Sequence, residues 1–290
     1  MTPARRPGPA RRSVLAGGAA ALLGGASDAA AAPAWASLEA RVGGRLGVFG
    51  VNSGNGRTFG WRADERFPMC STFKGLLAGA VLARVDARRE RLDREVQLSP
   101  ADMVAHAPVT SRYLAAGAVR VETLCQAIVE VSDNPGANLL LKTLGGPRGF
   151  TRHIRAQGDR ATRLDRYETE LNSAIPGDPR DTTTPAAMVG SYRRLLLGPA
   201  LTLASRRRLA GWMEAASTGL TRLRADLPAG WRAGDKTGSG AHHTANDVAI
   251  LWPPAGAPIL VGCFSTQATA PEARDAVMAG IGRLAAETLA

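Results

Sequence analysis

Phe67-Pro68-Met69-Cys70-Ser71-Thr72-Phe73-Lys74 lies where the chain changes character. Pro68 favours a helix starting soon after it, and the apolar run that follows continues through Leu82. Upstream, Leu38 to Val42 reads as the end of a short helix, and two strand-like runs follow at 46–51 and 58–61. Asn52-Ser53-Gly54-Asn55-Gly56 between those runs is hairpin-turn chemistry. Downstream, from Ser71 to about Ala216, Leu, Ala and Val recur with a helical period. Three more strand-like runs come after it, Arg232 to Thr237, Asp247 to Trp252 and Ile259 to Ser265, the last two separated by the turn Pro253-Pro254-Ala255-Gly256. The chain closes on a helical pattern over Glu272 to Leu289, with Ala276, Val277, Gly280, Ile281 and Leu284 on one face. Strands at both ends and helices between predict an α/β fold of two lobes. A discontinuous α/β domain over 33–70 and 217–290 would carry an inserted all-α domain over 71–216, with a cleft where they meet.

The 290 residues, 45% apolar and 21% charged, suffice for a sizeable core, and three cysteines exclude a disulfide scaffold. A net charge of +11 invites a nucleic-acid reading, but four arginines against one aspartate lie in the first 32 residues, leaving +8 on the rest. No basic run alternates with aromatics, so a solvated basic surface is the better reading and no nucleic-acid partner is expected. Lysine is scarce, at Lys74, Lys142 and Lys236 alone.

Arg11-Arg12-Ser13 followed by a short Ala/Gly/Leu run, and by small residues at 29–32 and 34–36, reads as a secretory signal peptide over 1–32. The paired arginines resemble a twin-arginine export signal, which predicts a periplasmic protein. The run is too short and too rich in Gly and Ala for a stable membrane anchor. His106, His153, His242 and His243 fall in no ligand pattern with the cysteines, so neither metal nor other cofactor is expected. Oligomers are not signalled, and a monomer is the expectation.

Ser71 and Lys74, three apart on a helix, lie about one turn from each other. A serine hydroxyl is a poor nucleophile until a neighbouring base activates it, and a partly desolvated ammonium can become that base. A helix N-terminus also offers amides to a developing oxyanion. Ser132-Asp133-Asn134-Pro135, between two helical runs, offers a proton-shuttling hydroxyl and an amide for substrate, or simply a helix cap. Lys236-Thr237-Gly238-Ser239 ends a strand, where lysine and hydroxyls make a carboxylate-binding wall and Gly238 admits a ligand close to the backbone, or the chain merely turns. Arg163 to Thr184 holds Pro176, Gly177, Pro179 and several charges, and reads as a packed functional loop.

Taken together, Ser71-x-x-Lys74, Ser132-Asp133-Asn134 and Lys236-Thr237-Gly238 resemble the motif set of the class A serine β-lactamases and penicillin-binding proteins. The resemblance runs over essentially the whole chain after the leader. It implies a five-stranded antiparallel sheet with flanking helices plus the inserted all-α domain, with an omega loop at 163–181. Within that loop Glu168-Thr169-Glu170-Leu171-Asn172 marks class A, and Arg166 with Asp181 matches the ion pair that pins the loop. The resemblance implies hydrolysis of penicillins and cephalosporins through an acyl-enzyme on Ser71, with no cofactor. Lys74 and Glu168 are its candidate bases, Asn172 helps to hold the deacylating water, and Ser132 passes a proton to the leaving nitrogen. Lys236, Thr237 and Ser239 hold the substrate carboxylate, the amides of Ser71 and Ser239 form the oxyanion hole, and Arg222 matches a carboxylate-side arginine of other members. His106 aligns with an aromatic gate residue opposite the serine, although a plain surface histidine fits its loop as well.

Cys125 has Ala78 at the facing position, so the core disulfide of many members is not expected. Ser239-Gly240-Ala241 offers Cys70 no partner of the kind found in several carbapenem hydrolysers, so carbapenem hydrolysis is not implied. Two relatives share the three motifs and remain as alternatives. A DD-peptidase, or a covalent β-lactam-binding sensor, would lack the water-activating pair that Glu168 and Asn172 supply.

Overall fold

The computed structural model describes the first two residues and residues 27–290. The leader expected over 1–32 therefore lies mostly outside the described residues. Helix α1 (Ser27–Val42) leads into a hairpin of β1 (Arg45–Asn52) and β2 (Thr58–Trp61). The Asn52 side chain organises its turn, accepting from the Gly54 and Asn55 amides through Oδ1 while Nδ2 reaches the Leu289 carbonyl. A short strand β3 (Phe67–Pro68) precedes α2 (Phe73–Asp86). The helical region continues through β4 (Glu95–Gln97), β5 (Ala118–Arg120), α3 (Val121–Glu130), α4 (Asn134–Thr143), α5 (Gly146–Ala156), β6 (Thr182–Thr183), α6 (Pro185–Leu196) and α7 (Leu203–Glu214). The chain ends on β7 (Arg232–Gly240), β8 (Thr244–Trp252), β9 (Ile259–Thr266) and α8 (Arg274–Leu289).

The expected α/β fold is present. Five antiparallel strands run in the order β2-β1-β9-β8-β7, so the first hairpin and the last three strands close one sheet across the whole length of the chain. Two details differ from the sequence reading. β7 runs on to Gly240 and β8 starts at Thr244, because the ladder extends through Ser239↔Ala245 and Gly240↔Thr244, where Gly240 and Ala245 have little strand propensity. Two small strand pairs, β3–β6 and β4–β5, also interrupt the helical stretch, and they are too short to leave a periodic signal.

The sheet separates two cores. On one face Leu46, Val48, Leu251, Val261 and Cys263 pack against Trp35 of α1 and Val277, Met278 and Ile281 of α8. On the other, Val51, Val248, Ile250, Leu260 and Phe264 join Phe73, Leu76, Leu77, Leu124, Ile128, Leu140, Met188 and Tyr192 in one continuous cluster with the helices. α2 is buried almost all round, which explains why its run reads as apolar rather than amphipathic. A helix buried along its length cannot shift, so whatever its N-terminus carries is held rigidly.

Candidate active site

Ser71 lies in a single 3-10 turn, Cys70–Thr72, and not inside the α-helix that starts at Phe73. Cys70 takes a φ of +45°, a conformation that side-chain-bearing residues avoid and that concentrates at functional sites. The turn is braced from both sides. Asn246 of β8 donates through Nδ2 to the carbonyls of Pro68 (2.8 Å) and Met69 (3.1 Å). Tyr192 of α6 donates to the Thr72 carbonyl at 2.8 Å, and Gly75 leaves room for that hydroxyl, since a Cβ there would meet it at 2.1 Å.

One turn on, Lys74 is buried, and its ammonium is surrounded by acceptors. It lies 2.9 Å from Glu168 Oε1 and donates to the Ser132 carbonyl (2.8 Å), Ser132 Oγ (3.3 Å) and Asn134 Oδ1 (2.5 Å). Burial pushes the Lys74 ammonium below the usual lysine range, and the charge of Glu168 opposes that. The Ser71 hydroxyl donates to Glu168 Oε1 at 3.3 Å, so the serine faces the lysine through the carboxylate. Asn172 donates to the other oxygen, Oε2, at 2.5 Å.

Glu168 comes from the 163–181 loop, and its placement depends on the expected Arg166–Asp181 pair and on a residue that no motif singled out. Asn138 of α4 clamps its peptide group from both ends, accepting from the Glu168 amide and donating to the Glu168 carbonyl, each at 2.9 Å. Asp181, buried, accepts from the amides of Asp165 (2.7 Å) and Arg166 (3.0 Å) and from Arg166 Nε (2.6 Å), closing the base of the loop. The Asn172 carbonyl accepts from the Ala241 amide at 2.9 Å, which ties the loop to the end of β7.

Ser132 precedes α4 with a φ of +60°. Its hydroxyl accepts from Lys74 and from Lys236 Nζ at 3.2 Å, which leaves its own proton directed away from both ammoniums. Asp133 is the helix cap that the sequence also allowed, accepting from the Gly136 amide at 2.9 Å. It does more than cap: Oδ2 takes the amides of Val109 and Thr110, both at 2.9 Å, and so holds the 104–110 loop against α4. That loop carries His106, with a φ of +64°, a ring nitrogen 2.8 Å from the Val131 carbonyl and a carbonyl that accepts the Asn134 amide at 3.0 Å.

β7 supplies the opposite wall. Burial, followed by the charge of Lys74, pushes Lys236 down to about 7. Thr237 bonds Thr218 hydroxyl to hydroxyl at 2.6 Å. A Cβ on Gly238 would lie 2.8 Å from the Met69 carbonyl and 3.1 Å from the Ser71 amide, so only glycine lets β7 approach the nucleophile's turn. Arg222 reaches Ser239 Oγ (3.3 Å) and the Asn246 carbonyl (2.9 Å), with Asp275 as its counter-ion at 3.1 Å.

The walls enclose a cleft of about 290 Å³ lined by Ser71, Ser132, Asn134, Thr237 and Ser239 together with His106, Asn172, Gly238 and Arg222. Lys74, Glu168 and Lys236 sit behind it, fully or almost fully buried. All twelve site residues expected from the sequence thus fall in one place. Asn138, Tyr192 and Asn246 were missed as supports, because single Asn and Tyr residues carry no spacing signal, whereas the Arg166–Asp181 pair expected to pin the loop is present at 2.6 Å. The three cysteines are free and buried.

The family model for the Beta-lactamase enzyme family matches residues 31–289. Beta-lactamase AST-1 from Nocardia asteroides is 51% identical over 83% of this chain and 77% of its own length. The Carbapenem-hydrolyzing beta-lactamase KPC from Klebsiella oxytoca is 45% identical over 88% of this chain and 87% of its own. Among solved structures, an ancestral (GNCA) class A beta-lactamase superposes with a TM-score of 0.85 at 55% identity, covering 88% of this chain and 98% of that one.

Proposed function

Because the chain belongs to the class A β-lactamases and so hydrolyses β-lactams, we propose that the residues gathered in its cleft divide the two half-reactions among themselves. Ser71 Oγ attacks the lactam carbonyl as its proton passes to Glu168 Oε1, the oxygen it already faces. Charge developing on the carbonyl oxygen is met by the backbone amides of Ser71 and Ser239. Ser132 gives its proton to the departing nitrogen and is reprotonated by Lys74, and Glu168 returns its proton to Lys74 across 2.9 Å. The acyl-enzyme then stands with Glu168 ionised again. A water held by Glu168 and Asn172 attacks the ester, Glu168 takes its proton, and Ser71 leaves with that proton restored.

Lys236, Thr237, Ser239 and Arg222 receive the substrate carboxylate. Asn134 takes the acyl side chain, its amide already oriented by Lys74 and the Ala105 carbonyl, and His106 of the adjoining loop lines the cleft beside it. Penicillins and cephalosporins are the proposed substrates. The chain reads as a discontinuous α/β domain over 33–70 and 217–290 with an all-α insert over 71–216. It is exported as a monomer to the periplasm after loss of residues 1–32, and no helix among the described residues is long and apolar enough to cross a membrane. The observation that carries the mechanism is the buried line Ser71–Glu168–Lys74, with Asn172 on the far carboxylate oxygen.

The test is steady-state turnover of a penicillin and a chromogenic cephalosporin by the mature protein, with a D-alanyl-D-alanine peptide in parallel. Sustained lactam opening with the peptide left intact is expected. One stoichiometric burst without turnover would indicate a covalent sensor, and peptide cleavage a DD-peptidase. Export is checked by fractionation, where Arg11→Lys/Arg12→Lys should leave the protein inside the cell.

A further inference from the structure

The far end of α2 and the loop after it gather arginines that the mechanism does not use. Arg84 in the last turn of α2 and Arg88, Arg89, Arg91 and Arg94 beyond it line an open cleft of about 650 Å³, bounded by Thr143 at the end of α4. Two of the five are neutralised locally. Arg94 grips the buried Glu90 through Nε and Nη2, both at 2.7 Å, and Arg91 pairs with Asp93 at 3.0 Å. Among the described residues, Arg84, Arg88 and Arg89 have no acid within ion-pair distance. Asp86, between them in sequence, instead accepts from the Thr202 amide and from the Thr202 and Ser205 hydroxyls. Five arginines against Glu90 and Asp93 therefore leave three positive charges in one cleft.

A helix C-terminus favours cations, and that accounts for an arginine at position 84. It does not account for guanidiniums left open. The carbonyls of Arg84 and Val85 are already taken by the amides of Arg89 (2.8 Å) and Arg88 (2.9 Å). The side chains of Arg88 and Arg89 are exposed and donate to no group among the described residues. Arg84 holds only the Arg89 carbonyl, at 3.4 Å, and its Nε is buried without a partner. An orphaned donor and three like charges are each costly, and an anion relieves both once Arg84 swings onto it. The field of the cluster reaches α5, where His153 is pushed down by burial and then by the charges of Arg89 and Arg84.

We propose that this cleft is an anion-binding site for a compact chain of linked phosphates, gripped by Arg84, Arg88 and Arg89. Guanidinium forks match phosphate oxygens two at a time, and three open forks suit a ligand with several phosphate groups better than a single carboxylate. No aromatic side chain lines the cleft for a base to stack on, so the phosphates are the recognised part. The concave shape admits a compact ligand more deeply than a flat bilayer. Arg84 lies roughly 17 Å along α2 from Phe73, at 1.5 Å per residue, so occupancy of the cleft leaves the lactam chemistry untouched.

The probe is sodium tripolyphosphate, titrated calorimetrically into the mature protein at low ionic strength. Saturable one-to-one binding with a Kd below about 1 mM is expected, since three charge-assisted contacts at the lower end of their usual worth supply that much. Arg88→Gln/Arg89→Gln should weaken binding by about tenfold or more while keeping the wild-type Tm, because neither side chain bonds to anything. Arg41→Gln/Arg57→Gln removes the same net charge at two exposed arginines of α1 and the β1–β2 turn, and should bind within about twofold of the wild type. Equal losses in the two double variants would reduce the effect to net charge and overturn the site, as would the absence of saturable binding. A second arm pellets the protein with phosphatidylglycerol vesicles, against phosphatidylcholine alone. Capture by the anionic vesicles with no response to tripolyphosphate would overturn the compact ligand in favour of a lipid surface.

Discussion

Glu168→Gln isolates the deacylation step, because the two side chains are nearly equal in volume. In the wild type both carboxylate oxygens face donors: Lys74 and Ser71 on Oε1, Asn172 on Oε2. A glutamine must turn its NH2 toward one of those donors, so it loses a contact in either orientation. It also removes the charge that opposes the downward push on Lys74, and Lys74 then becomes the neutral amine able to accept from the amide and from Ser71. Acylation therefore retains a base, while the deacylating water loses its own. General-base assistance is worth about 10²- to 10⁴-fold, or about 2.7–5.5 kcal/mol, and deacylation should slow by that factor. Rapid mixing with a chromogenic cephalosporin should give a burst equal to the enzyme concentration, with the matching adduct in the intact mass. Because Lys74 can shed its proton, no unpaired buried charge remains, and the stability cost should be about 1–3 kcal/mol rather than the larger loss of a stranded ion. Turnover within about tenfold of the wild type would refute the role of Glu168, since that is below the least a general base contributes. Absence of both burst and adduct would show that the carboxylate is needed for acylation as well.

Lys236, pushed down to about 7 in the free enzyme, is cationic below that pH and neutral above it. Hence kcat/KM for an anionic β-lactam should fall as pH rises through about 7, while kcat holds to higher pH because the bound carboxylate stabilises the ammonium; coincident profiles would contradict the assignment. Gly238→Ala would set a methyl 2.8 Å from the Met69 carbonyl and force β7 away from Ser71, lowering kcat by about 10²- to 10³-fold with a nearly unchanged melting temperature. The turn Ala241–Thr244 closes the β7–β8 hairpin with His242 and His243 both at positive φ, 53° and 52°, where type I′ geometry prefers Asn-Gly. Each histidine costs roughly 1 kcal/mol there. The double replacement His242→Asn/His243→Gly should raise Tm by about 2–6 °C, and an unchanged Tm in calorimetry would mean that the strain is compensated elsewhere.

The order of strand-like and helical runs was enough to place the five sheet strands and the helices between them, because short apolar runs bounded by turn residues differ in length from the long apolar runs of helices. Glycine, hydroxyl and lysine positions were legible as chemistry because Ser71-x-x-Lys74 and Lys236-Thr237-Gly238 are local: helix pitch and strand alternation alone bring those groups near each other. Legibility stopped where a contact joined segments far apart in sequence. Asn138 clamping Glu168, Asn246 bracing the turn before Ser71 and Asp133 gripping the 104–110 loop are single residues with no periodic neighbour.

The sheet register was likewise invisible in β7 and β8, where Ser239 and Gly240 pair with Ala245 and Thr244 although only the threonine favours a strand by itself. Their extension carries β7 past the nucleophile. The amino-acid sequence by itself therefore determined which chemical groups the protein owns and on which elements they ride. Tertiary structure alone decided their charge states, because the burial and the neighbouring charges that push Lys74 and Lys236 down and Asp247 up exist only once the two ends of the chain have closed into one sheet.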